Sequence, residues 1–453
     1  MAQHSDLIII GAGPGGYETA LAAARRGMSV TLFNGDRLGG TCLNEGCIPT
    51  KCLCRNSEIV ASFKEGEKFG IDDFTFSVDY GRILERKNSV VDTLREGVAS
   101  LLKSAKVNVV NAMASFRDAS TVVAEEEEYT ADNIIIATGS VSKSLPIPGH
   151  DLECVMDSTR ILSMEYVPVS LTIIGGGVIG MEFASIFNAL GSQVTVIEFM
   201  KQILPPFDSD IAKRLKQTLS KKGIKIITGA AAKKIEQNAD YEICVTYESK
   251  GKEETVVSSD LLMAVGRAPR LESLNLEATG VEFSPRGIVV DDNMRTSVPH
   301  IFAIGDVNAR MMLAHVASFQ GLRALNVIQG KQDNIRFDIV PSAVFVVPEC
   351  GMVGMTEDQA KAAGIEIMVG QSFFRANGKA LSMGEPDGLC KLIFRKEDGV
   401  LIGAHIMGVE AADLAQQCAD LMNRAATLHD MEDIIFGHPT VSEVILSACH
   451  AVK

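Results

Sequence analysis

The apolar positions of this chain gather in short, unbroken runs that stop at glycine. Residues 7–10 (Leu-Ile-Ile-Ile) run straight into Gly-Ala-Gly-Pro-Gly-Gly at 11–16, and an alanine-rich stretch follows at 20–24. A short continuous apolar run bounded by glycine reads as a strand buried on both faces, and the alanine-rich stretch after the turn reads as a helix. A second apolar run at 30–33 completes a strand, helix, strand unit. The pattern returns at 171–174, with Gly-Gly-Gly-Val-Ile-Gly at 175–180, a helix ending near Leu190 and a strand at 194–197. Two more short runs end in glycine: 134–136 before the Ala-Thr-Gly of 137–139, and 301–304 before Gly305 and Asp306. Each is expected to be a buried parallel strand stopping at a ligand crevice. Pro146, Pro148 and Gly149 predict a hinge into the second unit, and residues 264–270 close it. From about residue 339, strand-like runs at 343–347 and 389–394 mix with an alanine-rich helix at 411–424, which predicts a third domain of α+β type. The four consecutive glutamates at 125–128 have nothing apolar between them and read as a solvated hairpin or loop.

Size and charge narrow the function. With 453 residues the chain is long enough for about three domains. Hydrophobic residues make up 46% and charged residues 22%, so a disordered or fibrous protein is excluded. No apolar run approaches the ~20 residues that span a bilayer, and residues 7–10 are too few for the core of a signal peptide. The chain is therefore expected to be soluble, unexported and cytoplasmic. A net charge of −14, with no long basic block, makes nucleic acid and anionic membranes poor partners. Ten cysteines in such a compartment argue against a structural disulfide framework and leave packing, metal binding or redox chemistry.

Both glycine turns have the G-x-G-x-x-G spacing, at Gly11, Gly13 and Gly16 and again at Gly175, Gly177 and Gly180. The first glycine permits a tight turn, the second lets a backbone approach a diphosphate, and the third lets helix and strand pack closely. The diphosphate would rest on the helix N-terminus, where free N–H groups and the helix dipole favour negative charge. Glu198, 23 residues after Gly175, is placed to accept from a ribose, and a carboxylate there repels a 2′-phosphate, favouring NAD over NADP. The same count from Gly11 reaches Asn34, an uncharged amide, with Asp36 two residues on as a possible compensating acid.

The segment Gly-Gly-Thr-Cys-Leu-Asn-Glu-Gly-Cys-Ile-Pro-Thr-Lys at 39–51 spaces Cys42 and Cys47 five apart, with Pro49 early in what reads as a first helical turn. A thiol at a helix N-terminus has a stabilised thiolate and can exchange disulfides at neutral pH. A metal or iron–sulfur site drawing on Cys52 and Cys54 is the competing reading, but the spacing fits neither paired zinc cysteines nor a ferredoxin pattern. Simple packing is the remaining alternative, and it is the reading taken for Cys52 and Cys54.

These motifs, in this order, closely resemble the FAD-dependent pyridine nucleotide disulfide oxidoreductases, and among them most closely the dihydrolipoamide dehydrogenases. The resemblance covers essentially the whole chain. It implies an α/β fold with two Rossmann-like FAD- and NAD-binding domains and a C-terminal α+β dimerisation domain. The division implied is FAD-binding at 1–146 and again at 271–338, NAD-binding at 147–270, and dimerisation at 339–453. It further implies that Cys42 is the interchange thiol and Cys47 the thiol beside the flavin, and that Lys51 and Glu182 form an ion pair near the flavin ring. Asp306, with Gly305, matches the motif that binds the ribityl and phosphate region, and residues 312–315, including Ala314 and His315, match the segment near the isoalloxazine. Ala114 and Gly139 match FAD contacts, and Gly266 an NAD contact. Asn34 departs from the family, whose members usually carry Glu there.

Near the C-terminus Gly-His-Pro-Thr-Val-Ser-Glu at 437–443 sets Glu443 five residues after His438, and a carboxylate that orients an imidazole suits general acid–base chemistry. In the family this is the catalytic pair, reaching the disulfide of the opposite subunit, so a homodimer is implied. The activity implied is oxidation of protein-bound dihydrolipoamide to lipoamide with reduction of NAD+, the partners being lipoyl domains of 2-oxo acid dehydrogenase complexes or of the glycine cleavage system. Glutathione-type and trypanothione-type relatives prefer NADPH, against which Glu198 argues. Mercuric-type relatives usually end in a vicinal cysteine pair, whereas residues 449–453 here read Cys-His-Ala-Val-Lys. A non-enzymatic scaffold or adhesion protein of the same fold is the reading from a different class. No metal site is expected.

Overall fold

The computed structural model describes residues 3–73 and 75–453. They fall into two compact units. The first contains the described residues up to Cys52, Leu84–Lys143 and Gly266–Ile335; the second contains the described residues of Leu53–Ile83, with Ser144–Val265 and Arg336–Lys453.

The first unit is built on a seven-stranded sheet. Its central strand, Gln3–Ile10, is flanked in parallel by Val30–Phe33 and Glu127–Ile136, with Asn108–Val110 and Ile301–Ala303 parallel beyond them. The register aligns their carboxyl ends. Ile10 stands beside Phe33 and Ile136, Phe33 beside Val110, and Ile136 beside Ala303. The residues that follow each strand, including Gly11, Asn34, Asn111, Gly139 and Asp306, therefore emerge at one edge, where ligands bind in open α/β sheets. Ile8, Ile10, Phe33, Ile134, Ile136 and Ala303 are sealed into one core, which explains why these strands read as unbroken apolar runs. The acidic run does form a hairpin: Thr121–Ala124 and Glu127–Ile136 pair antiparallel, and Glu125 and Glu126 take positive φ between them.

The second unit holds a five-stranded parallel sheet in the order Lys225–Thr228, Gln193–Glu198, Ser170–Ile174, Asp260–Met263, Val155–Met156. A three-stranded antiparallel sheet (Ala230–Gln237, Ile243–Ser249, Lys252–Ser258) shares its core through Ile235, Val245 and Tyr247. The C-terminal part of the unit is a five-stranded antiparallel sheet packed with the helices Ala411–Asn423 and Glu443–Cys449. The strand expected over 343–347 spans only Ser342–Val344. The Phe345 and Val347 N–H groups leave the ladder and donate instead to Glu182 Oε1, at 3.0 Å, and Ser185 Oγ, at 3.4 Å. Among the described residues no helix is long and apolar enough to cross a membrane.

Candidate active site

The glycines of each turn divide into those the fold itself requires and one that it does not. Gly11 and Gly175 have φ of +111° and +113°, and a Cβ on them would strike the carbonyls of Ala137 and Ala264. A Cβ on Gly16 or Gly180 would strike the carbonyl of Gly11 or Gly175, so the third glycine of each motif is needed for helix and strand to approach. The middle glycines differ. A Cβ on Gly177 would meet nothing within 4 Å, and one on Gly13 only the Gly40 Cα at 4.0 Å. These two positions keep space open for something other than protein. Gly13 and Gly177 are also the N-caps of the helices Pro14–Arg25 and Val178–Leu190, and neither helix has a side-chain cap. The first-turn N–H groups thus face that space as a ready anion site.

The two units share a second device. In each, the chain beyond the second strand returns to donate an N–H to the carbonyl of the motif's second residue: Gly39 to Ala12 at 2.9 Å, and Leu204 to Gly176 at 2.8 Å. In the first unit this return carries the cysteines. Gly39 and Gly40 have positive φ, and Gly40 lies so close that a Cβ there would stand 2.7 Å from the Gly13 Cα. The short helix Gly40–Glu45 then presents Cys42, Gly46 ends it, and Cys47 opens the 18-residue helix Cys47–Lys64. Asn44 ties the hairpin down by donating to the Leu38 and Gly40 carbonyls, both at 2.9 Å, and accepts from Arg95 at 3.3 Å. Cys42 and Cys47 form a disulfide with Cα atoms 4.7 Å apart, and both are half-buried, within reach of an exchanging thiol. Its position at a helix start stabilises the thiolate that exchange releases. Lys51 follows one turn later. Cys52 and Cys54 are buried, and no group of His, Cys, Asp and Glu able to hold a metal occurs among the described residues.

Around Asp306 the structure assembles residues that the motifs did not reveal. Ser140 Oγ donates to the Asp306 carboxylate; Arg267 in turn donates to Ser140 Oγ at 2.7 Å and to the Ser140 carbonyl at 2.8 Å. The strand Arg267–Pro269 pairs with Ser140–Ser142, which fixes this geometry. Buried Gln320 accepts from the Gly305 N–H at 2.7 Å and the Asn308 amide at 2.9 Å, holding the turn that carries Asp306. Gly139 has φ +74° with open space where a Cβ would stand, Ala314 opens the helix Ala314–Ile328, and Ala114 is buried near the sheet edge. Gly266, at φ +105°, also borders open space. The Asp36 carboxylate lies 3.7 Å from Arg37, and the Asp36 carbonyl accepts from the Asn34 amide at 3.4 Å.

In the second unit Glu198 closes its strand with both oxygens held, one by the Gly176 N–H and the other by the Met200 N–H at 2.6 Å. Glu182 is buried in the helix Val178–Leu190 and accepts from Phe345. In the C-terminal sheet region, His438 Nδ1 lies 2.9 Å from Glu443 Oε1, and the other oxygen accepts the Thr440 N–H at 2.9 Å. The Thr440 N–H first, and His438 second, hold the Glu443 carboxyl below its ordinary range, so it stays a carboxylate that can orient the imidazole. The His438 side chain is 80% exposed and Glu443 27%, so the imidazole is open to solvent while its carboxylate partner is anchored.

The chain matches the family model described as pyridine nucleotide-disulphide oxidoreductase over residues 5–321, and the dimerisation domain of the same family over 340–449. It is 40% identical to the dihydrolipoyl dehydrogenase of Geobacillus stearothermophilus, over 99% of this chain and 96% of that one. Among solved structures it resembles the HOCl-induced flavoprotein disulfide reductase RclA from Escherichia coli, at 30% identity with a TM-score of 0.88, covering 99% of this chain and 100% of that one. The Cu(II) complex of the same reductase matches at 30% identity with a TM-score of 0.86, over 96% of this chain and 98% of that one. With its glycine turns, its half-buried Cys42–Cys47 disulfide and full-length similarity all in agreement, the chain belongs to the pyridine nucleotide-disulphide oxidoreductase family, as an NAD(P)-dependent flavoprotein disulfide oxidoreductase with a dimerisation domain that supports a homodimer.

Proposed function

We propose that this protein is a cytoplasmic dihydrolipoyl dehydrogenase. It oxidises dihydrolipoamide carried on a lipoyl domain, of a 2-oxo acid dehydrogenase complex or of the glycine cleavage system, and reduces NAD+. The observation that carries this reading is the half-buried disulfide at the head of a long helix, held against the first glycine turn. The 40% identity to a dihydrolipoyl dehydrogenase supports the lipoyl substrate.

In this reading FAD is held by 1–146 and 271–338, NAD by 147–270, and the dimer by 339–453. The open space beyond Gly13 and Gly177 and the uncapped helix starts fit two diphosphates. FAD would be held by Gly11, Gly13, Gly16, Asn34, Lys51, Ala114, Gly139, Asp306 and Ala314, with Glu182 near its ring, and NAD by Gly175, Gly177, Gly180, Glu198 and Gly266. A bound flavin supplies electron transfer between a dithiol and a pyridine nucleotide. The protein's own part is thiol exchange. His438 of the opposite subunit takes the proton of one substrate thiol, and the resulting thiolate attacks the Cys42 sulfur. The Cys42–Cys47 bond breaks and Cys47 leaves as a thiolate, favoured by its helix start. The second substrate thiol displaces Cys42, so the substrate departs as a cyclic disulfide while both cysteines are reduced.

The test is a panel of lipoamide, oxidised glutathione, mercuric ion and Cu(II), each with NADH and NADPH. Lipoamide with NADH should give the highest kcat/KM; preference for glutathione with NADPH, or for either metal ion, would overturn the substrate assignment. A Cys42→Ser variant should still be bleached by NADH but lose lipoamide turnover.

A further inference from the structure

The glycine turn of the second unit is gripped by the loop that follows Glu198. At the near end of this loop the Met200 N–H donates to the Glu198 carboxylate at 2.6 Å, and midway the Leu204 N–H donates to the Gly176 carbonyl at 2.8 Å. Ile203 packs so closely that a Cβ on Gly176 would stand 3.1 Å from its Cγ2. Leu204 makes its contact at φ +46° with its side chain fully buried, a backbone state that leucine keeps only where its surroundings enforce it. Those surroundings are one-sided. Phe199 and Met200 are 72% and 49% exposed, and with Pro205 they line a cleft of about 610 Å³ that Thr356 and Gln359 also line. With open space along that flank, the shape of the loop depends on how its two ends are fixed.

The far end is fixed from the C-terminal sheet. Asp208 closes the loop, is fully buried, and caps the helix Ser209–Lys221 by accepting the Asp210 N–H at 3.1 Å. Its other oxygen accepts the Glu357 N–H at 3.1 Å, and Lys391 Nζ donates to the capping oxygen at 2.9 Å. Three donors converging on two oxygens hold the carboxylate in one orientation, which an apolar contact of the same volume would not do. Lys391 lies in the strand Leu389–Arg395 and is itself held by Asp210 at 2.7 Å and Glu357 at 2.6 Å.

We propose that Lys391 is a positioning residue for pyridine nucleotide binding: by fixing Asp208 it holds the loop 199–207 against the Gly176 turn, and so sets the placement of Glu198 and of the open helix start at Gly177. This rests on the reading that the second unit holds NAD. Sealed at 1% exposure, Lys391 acts through Asp208 and not by contact with a ligand.

The experiment titrates NAD+ calorimetrically into the oxidised, flavin-loaded protein, with the melting temperature and the lipoamide KM at saturating NADH, for Lys391→Met, Asp208→Asn and the double variant. Lys391→Met should weaken NAD+ by about three- to tenfold and leave the lipoamide KM unchanged. An amide accepts at one end only, so Asp208→Asn loses one of its ties to Lys391 or Glu357 and should weaken NAD+ as well. The double variant should bind no more weakly than the weaker single variant, because Lys391 acts through Asp208. Met431→Ala is the control for stability alone. It removes a fully buried side chain from a C-terminal core to which the loop contributes no residue, and should lower the melting temperature while leaving the NAD+ constant as it is. An unchanged NAD+ constant in folded Lys391→Met, a lipoamide KM raised as much as that constant, additive losses in the double variant, or an equal loss in Met431→Ala would each overturn the proposal. If Lys391→Met does not fold, an unchanged constant in Asp208→Asn overturns it equally. A Gly177→Val variant separates the two levels: undiminished NAD+ binding there means that the second unit does not hold NAD, and the underlying reading fails instead.

Discussion

The imidazole of His438 and the carboxylate of Glu443 are coupled at 2.9 Å, and the carboxylate is itself pinned by the Thr440 N–H. The anchor, Thr440, lies two residues after His438, and its own carbonyl accepts from the Asn377 amide at 3.0 Å, which ties the loop to the rest of the domain. Replacing His438 with Gln should slow the thiol half-reaction by about 10²–10⁴, the usual worth of a positioned general base, while leaving flavin reduction by NADH nearly unchanged. Glu443→Gln should slow the same step by a smaller factor. Rapid-mixing measurements of the two half-reactions check this, and equal losses in both would remove His438 from the role of base.

The middle and third glycines of the second turn should respond in opposite ways to a single added methyl. Gly177→Ala meets open space, so thermal stability should change by no more than about 0.5 kcal/mol while NADH binding weakens. Gly180→Ala drives a methyl into the Gly175 carbonyl and should cost about 1–3 kcal/mol of stability. Melting curves paired with NADH titration distinguish the two variants.

Glu198 should determine the choice between the two pyridine nucleotides. A carboxylate in this position repels a 2′-phosphate, and Glu198→Gln removes the charge while keeping the shape. The ratio of kcat/KM for NADPH over NADH should rise by about tenfold or more. An unchanged ratio would show that selectivity resides elsewhere.

A buried charge cluster in the second unit sets an acid limit on stability. Lys391 is 1% exposed and lies 2.9 Å from Asp208, 2.7 Å from Asp210 and 2.6 Å from Glu357. Burial opposes its charge, but the three carboxylates outweigh burial and hold the ammonium above its ordinary range. Lys391→Met strips the fully buried Asp208 of its ammonium partner and should cost about 3–5 kcal/mol.

Its neighbour across the strand pair, His405, is fully buried, donates from Nε2 to the Met355 carbonyl at 2.9 Å, and has no partner at Nδ1 among the described residues. Burial pushes its pKa below 6.5, so the unfolded chain takes up a proton that the folded one refuses, and stability should begin to fall as pH drops below about 6.5. Glu357, lowered by its bonds to Lys361 and Lys391, and Asp208, where Lys391 outweighs burial, contribute stability above their unfolded values of 4.5 and 3.8 that is lost as pH falls through the lower folded values. Denaturant melts across pH 7 to 3 should therefore decline in two stages, and His405→Gln should remove the first.

Much of the candidate site was legible because its chemistry is local. The spacing of Gly11, Gly13 and Gly16 contains the turn, Cys42 and Cys47 lie on adjoining short elements, and His438 reaches Glu443 within five residues. The strand expected over 343–347 was misjudged for the opposite reason. Phe345 and Val347 have strand-forming side chains, but their N–H groups found acceptors on Glu182 and Ser185, more than 160 residues earlier. Backbone groups go to whichever acceptor the tertiary fold supplies, and propensity does not record that competition.

The sequence by itself determined the strand–turn–helix units, the redox pair and the dyad, since each is written in contacts that short stretches of chain can make. Only the tertiary structure decided what surrounds them: Ser140 and Arg267 on Asp306, Gln320 on the Gly305 turn, Asn111 on Asn34, and Gly40 against Gly13. Three of these connections, Ser140 to Asp306, Arg267 to Ser140 and Asn111 to Asn34, join residues 77 to 166 positions apart. Their geometry follows from strand register and helix packing, in which a one-residue slip would send every side chain to the opposite face.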